Sequence, residues 1–99
     1  MEPLAIMNVH PLLCDRSRLA IMVYLLKHGQ NADFNTLLAV LKLTKGNLAS
    51  HLRKLEEGEL LVVKKEFVER KPRTSYALTN QGRKVLKSYL SAIQEALSV

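Results

Sequence analysis

Apolar residues recur at helical spacing in four separate stretches of the chain. Leu19, Met22, Val23 and Leu26 share one side of a helix that runs to about His28. Phe34, Leu37, Leu38 and Leu41 repeat the i, i+3, i+4, i+7 pattern in a second, short helix. Leu48, Leu52 and Leu55 do so in a third. Leu86, Leu90, Ile93 and Leu97, with Val85 and Tyr89 beside them, give the last helix a long stripe close to a coiled-coil seam. Between the third and last helices the period shortens. Leu61, Val63, Phe67 and Val68 interleave with Lys64, Lys65, Glu66 and Glu69, and Tyr76 and Leu78 fall on one face of a return strand. Valine, phenylalanine and near-alternation favour a hairpin there.

Polar residues mark the boundaries. Asp15 or Ser17 caps the first long helix and Gly29 ends it. Asp33 or Asn35 caps the second, Thr44 the third and Thr79 the last. Gly58 closes the third helix. Only Lys42 and Leu43 separate the second helix from Thr44, a connection short enough for a helix-turn-helix. Leu4 to Val9 forms at most a short helix, which His10-Pro11 breaks. Pro72 is expected in the hairpin turn, where it removes no ladder hydrogen bond. The expected architecture is mainly α with a small β-hairpin (α+β), in a single domain over residues 1–99. Its third helix spans about 44–57, its hairpin about 61–78 and its last helix about 80–97.

The chemistry concentrates in the third helix and the hairpin. Away from the leucines the helix carries Lys45, Asn47, Ser50, Arg53 and Lys54, side chains suited to phosphates and base edges. Gly46 lets backbone approach closely, and the helix N-terminus favours a phosphate. Asn47 is suited to bidentate reading of adenine, and Arg53 to guanine or a phosphate. Arg70-Lys71-Pro72-Arg73-Thr74 forms a cationic loop tip. The bland alternatives are a solvated helix face and an edge-protecting charge cluster. The polar helix beside a basic hairpin favours a winged helix-turn-helix on DNA.

Composition narrows the rest. Ninety-nine residues that are 47% hydrophobic suit one packed domain and argue against disorder. A net charge of +6 fits an anionic partner, and the cations gather between Lys42 and Arg73. The lone Cys14 excludes an intramolecular disulfide. It is expected as a buried structural thiol; as a redox sensor it would be favoured by Arg16 and opposed by Asp15. His10, Cys14, His28 and His51 are scattered without metal-ligand spacing, so no metal and no cofactor is expected. No phosphate-binding glycine loop or activated nucleophile appears, which argues against an enzyme. The N-terminus lacks a signal peptide and the longest near-apolar run, Leu19 to Leu26, is too short for a bilayer. A cytoplasmic protein without membrane contact is expected.

Over roughly residues 10 to 95 the chain resembles the MarR/ArsR-like winged-helix transcriptional regulators, in particular a compact single-domain archaeal and bacterial group. The matching stretches are Asp15-Arg16-Ser17-Arg18-Leu19 with Ile21-Met22, Leu43 to Glu56, Pro72-Arg73-Thr74, and Tyr76-Ala77-Leu78-Thr79 with Gly82. The resemblance implies a homodimer that binds operator DNA and usually represses transcription. With the polar pattern it sets the expected contacts. In the third helix these are Thr44, Lys45, Gly46, Asn47, Ser50, His51, Arg53 and Lys54, with His51 equally suited to packing. In the wing they are Lys65, Arg70, Lys71, Arg73 and Thr74.

The last helix carries more apolar stripe than a small winged domain can cover. A dimer interface of Leu4, Met7, Leu86, Tyr89, Leu90, Ile93 and Leu97 is expected from the terminal helices, and an unidentified small-molecule effector has room only between them and the winged domain. The competing readings are a protein-interaction adaptor and a non-specific DNA-binding protein.

Overall fold

The computed structural model describes residues 5–28 and 31–98. Two 3-10 turns, Ala5–Asn8 and Pro11–Cys14, precede α1 (Arg16–Lys27). There follow β1 (Ala32–Asp33), α2 (Phe34–Leu41), α3 (Lys45–Glu57), β2 (Leu61–Val68), β3 (Lys71–Leu78) and α4 (Asn80–Leu97). The three strands form an antiparallel sheet in the order β1-β3-β2. The result is mainly helical with a small sheet, the fold of a winged helix.

Each α-helix starts on a side chain that accepts from one or two of its free N–H groups. The Asp15 carboxylate accepts from the amides of Ser17 (2.8 Å) and Arg18 (3.0 Å). Asp33 accepts from Thr36 (2.7 Å), Thr44 Oγ1 from Asn47 (3.1 Å) and Thr79 Oγ1 from Gly82 (2.9 Å). Lys42, in left-handed backbone, ends α2 and turns the chain into Thr44. Gly29, the expected end of α1, lies outside the described residues, as does Leu4.

The core gathers Leu13, Ile21, Met22, Leu25, Leu37, Leu48, Leu52, Leu55, Leu60, Leu61, Leu78 and Leu86. Three expectations change here. In α1 the buried face is Ile21, Met22 and Leu25, while Val23 is exposed, because the run is apolar all round and its neighbours choose the face. Leu86 is not a dimer contact: it is fully buried in the chain's own core. Cys14 is exposed rather than buried. It ends a single turn whose inward residue is Leu13, one position earlier.

The hairpin also differs from expectation. Its turn is Glu69-Arg70, both left-handed (φ 52° and 67°), and β3 begins at Lys71. Pro72 therefore lies inside a strand, opposite Phe67. Next to the turn, Val68 and Lys71 form the pair that exchanges ladder bonds, so the Phe67–Pro72 pair does not. The nitrogen of Pro72 faces away from β2, and β1 pairs only with Ser75 and Tyr76. Proline costs no bond there.

Candidate nucleic-acid interface

The α3 helix stands with Leu48, Leu52 and Leu55 against the core, which sets every other side chain on it. Lys45, Gly46, Asn47, Arg53 and Lys54 are exposed, as is the cap Thr44, and Ser50 is half-buried. Thr44 Oγ1 occupies the amide of Asn47, leaving the amides of Lys45 and Gly46 free to meet an anion. The acids Glu56 and Glu57 sit at the far end of α3, about 17 Å along its axis from Lys45. The first turn is thus the electropositive end in side chains and in backbone dipole alike. Among the described residues, Lys45, Arg53 and Lys54 enter no ion pair.

His51 is set apart from that group. It is turned towards α1, with Nδ1 3.4 Å from Arg18 Nη1 and 3.9 Å from Asp15 Oδ1, and its side chain is only 18% exposed. Arg18 also donates through Nε to the Leu12 carbonyl at 2.9 Å. His51 therefore joins α3 to the start of α1 as a packing residue. Its helical position, just beside the leucine stripe, gave no sign of this contact, which depends on the neighbouring helix.

The wing presents Lys65, Arg70 and Lys71 exposed and without ion pairs among the described residues. Lys64 is paired with Glu66 at 3.7 Å. Arg70 holds a left-handed position where glycine or asparagine is the unstrained choice, so folding alone does not call for arginine there. Thr74 is half-buried opposite Lys65. Arg73 Nη2 lies 3.8 Å from Asp33 Oδ2. This tie was not apparent from the sequence, since it depends on the two-residue strand β1 pairing with β3. Through it one carboxylate caps α2 and anchors the wing.

Both aspartate caps hold their carboxyls below the ordinary carboxylate range. For Asp15 the Arg18 amide leads, followed by burial in opposition, then the positive charges of His51 and Arg18 and the Ser17 amide. For Asp33 the side chain and amide of Thr36 lead, and Arg73 adds to them against burial. A lowered folded value means stabilisation that is present above the unfolded value of 3.8 and is lost as pH falls through the folded value. The urea midpoint should stay level from neutrality to about pH 5 and fall below about pH 4. Asp33→Asn, which keeps a capping oxygen, should flatten that acid limb. An unchanged limb would mean that other carboxylates carry it.

Among the described residues no group of three or more His, Cys, Asp or Glu side chains is placed to hold a metal. No described helix is long and apolar enough to cross a membrane.

A family model described as a winged helix DNA-binding domain matches residues 17–97. The structure of a transcriptional regulator homologue from Pyrococcus horikoshii OT3 is 37% identical, covers 95% of this chain and 94% of that one, and superimposes with a TM-score of 0.81. An uncharacterized protein of Methanocaldococcus jannaschii is 36% identical over 78 residues, which is 79% of this chain and 82% of that protein. The S. aureus MepR–DNA complex shares the fold at 21% identity and a TM-score of 0.76, over 85% of this chain and 68% of that one.

Proposed function

The chain belongs to the winged helix DNA-binding domain family, and from that premise we propose that it is a sequence-specific regulator of transcription that acts in the cytoplasm as a homodimeric repressor. The observation that carries this reading is that Lys45, Arg53 and Lys54 stand exposed on α3 without ion pairs among the described residues, beside a cationic wing. In this reading α3 enters the major groove, and Lys45, Asn47, Ser50, Arg53 and Lys54 meet base edges and phosphates. Arg70 and Lys71 track the adjoining backbone. The P. horikoshii relative, named as a transcriptional regulator homologue, supports the regulatory role. The family is one of DNA-binding proteins rather than enzymes.

Two copies would join through the outer face of α4, where Leu90 and Leu97 are exposed and Ile93 half-buried, with Met7 adding to it. Two-fold symmetry would then place two copies of α3 about one DNA turn, ~34 Å, apart. A shallow cleft of 340 Å³ between Asn8–Pro11 and Val85 and Ser88 of α4 would admit a small effector. An effector there would tilt the two α3 helices and loosen the operator.

The test is selection of bound DNA from a random duplex pool at about 150 mM salt, near the physiological value, with wild type and Asn47→Ala/Arg53→Ala side by side. The expected outcome is a palindromic motif that the variant loses, each lost base contact being worth about 1–3 kcal/mol of discrimination. No enriched motif, or equal recovery by both proteins, would overturn the reading.

A further inference from the structure

The outer half of the wing carries an apolar surface that the fold does not use. Phe67 is 79% exposed, as large a fraction as any bulky apolar side chain among the described residues. It stands opposite Pro72, and Lys65 stands opposite Thr74, so these four side chains share one face of the hairpin. They line most of a 260 Å³ hollow. The same face becomes core further down, at Leu61 and Leu78. Between that core and Phe67 stands exposed Lys65, so the phenyl ring is no outlier of the core. A threonine would serve the strand as well as phenylalanine does. An aromatic ring left in water beyond the core has its use in something outside the chain.

The surroundings say what that is. Lys65, on the ring's own face, and Arg70 and Lys71, at the end of the hairpin, are exposed and enter no ion pair among the described residues, and Glu66 and Arg73 complete the lining of the hollow. An apolar ring on a hairpin end that carries free cations complements the wall of a DNA groove, where apolar deoxyribose faces alternate with phosphates. We propose that Phe67, backed by Pro72, packs on deoxyribose when the wing meets the duplex, with Lys65 and Thr74 holding the flanking phosphates. This rests on the DNA-binding reading above. It adds to the interface a contact that is independent of sequence and releases no counterions.

That last property separates it from the cations. Binding to a labelled random-sequence duplex pool would be followed by anisotropy across a salt series, for wild type, Phe67→Ala, Phe67→Leu and Arg70→Ala. Phe67→Ala should bind about tenfold more weakly at every salt concentration, as expected for losing a buried aromatic contact. Its slope of log affinity against log salt should match wild type. Phe67→Leu should recover most of the loss. Arg70→Ala should lower the slope by about 0.9, the value of one phosphate. Melting curves should show Phe67→Ala folded like wild type.

Three results would overturn the inference while leaving DNA binding intact. Phe67→Ala could bind as tightly as wild type, it could lower the slope as Arg70→Ala does, or it could change the hydrodynamic mass, which would give the ring to a second copy of the chain. Wild type failing to bind any duplex would instead remove the DNA reading itself, and this inference with it.

Discussion

Gly82→Ala should destabilise the chain by about 3 kcal/mol, the upper end of what overpacking costs, and lower Tm by on the order of 10–20 °C for a domain of this size. A Cβ at this position runs into the carbonyl oxygen of Leu60. That oxygen is backbone and already accepts the amide of Thr79 at 3.1 Å, while Thr79 Oγ1 donates to the Glu59 carbonyl at 2.7 Å. The first turn of α4 is therefore sewn to the end of α3 and the start of β2, and neither side has slack. The same substitution should do less at Gly58, where the obstacle is the end of the Leu12 side chain, which can rotate. At Gly46 it should do the reverse. A methyl there meets nothing within 4 Å, so Gly46→Ala should raise stability by about 0.5–1 kcal/mol through lower unfolded-state entropy. Its cost should appear in DNA binding, where the backbone no longer approaches as closely. Thermal melting of the three variants checks the order. A Gly82→Ala protein that melts like wild type would mean that α4 is not held to β2 as described.

That contrast bears on what the sequence can disclose. Gly46, Gly58 and Gly82 look alike as letters, and each is set by what stands opposite it in space. Features written locally were readable. The caps Asp15, Asp33, Thr44 and Thr79 act on amides two or three residues away, and the leucine spacing of α3 alone fixes which side of it faces out. The faces of α1 were not readable, because Leu19 to Leu26 is apolar throughout and periodicity has nothing to contrast. The strand β1 is two residues long and exists only because β3 offers an edge, so its carboxylate reaching Arg73 left no trace in the pattern. His51 followed the same logic: its place on the wheel admitted two roles, and its proximity to Asp15 and Arg18 across to α1 had no signal in the sequence. Leu86 belonged to an apolar stripe longer than one core could use, and the structure divides that stripe. Leu86 goes inward, while Leu90 and Leu97 stay out.

The outer part of that stripe supports the other large effect. Leu90→Glu/Leu97→Glu should leave the folded chain as stable as wild type while halving its mass in solution, because these side chains are 40% and 77% exposed within one copy. Charge placed there meets water in the monomer and meets its own image across a two-fold axis in the dimer. Losing the proposed dimer would turn two linked half-site contacts into one. Affinity for a duplex bearing both half-sites should then fall by about 10²–10⁴, the gain that linkage supplies without new contacts. Affinity for a duplex with a single half-site should hardly change, since α3 and the wing are untouched. The pairing of the two duplexes makes the result specific. Equal loss on both would place Leu90 and Leu97 in the DNA contact or in the fold. No loss on either, with mass unchanged, would mean that two copies join elsewhere. A wild type already of monomer mass would give the α4 face to a different protein and favour the adaptor reading over a dimeric repressor.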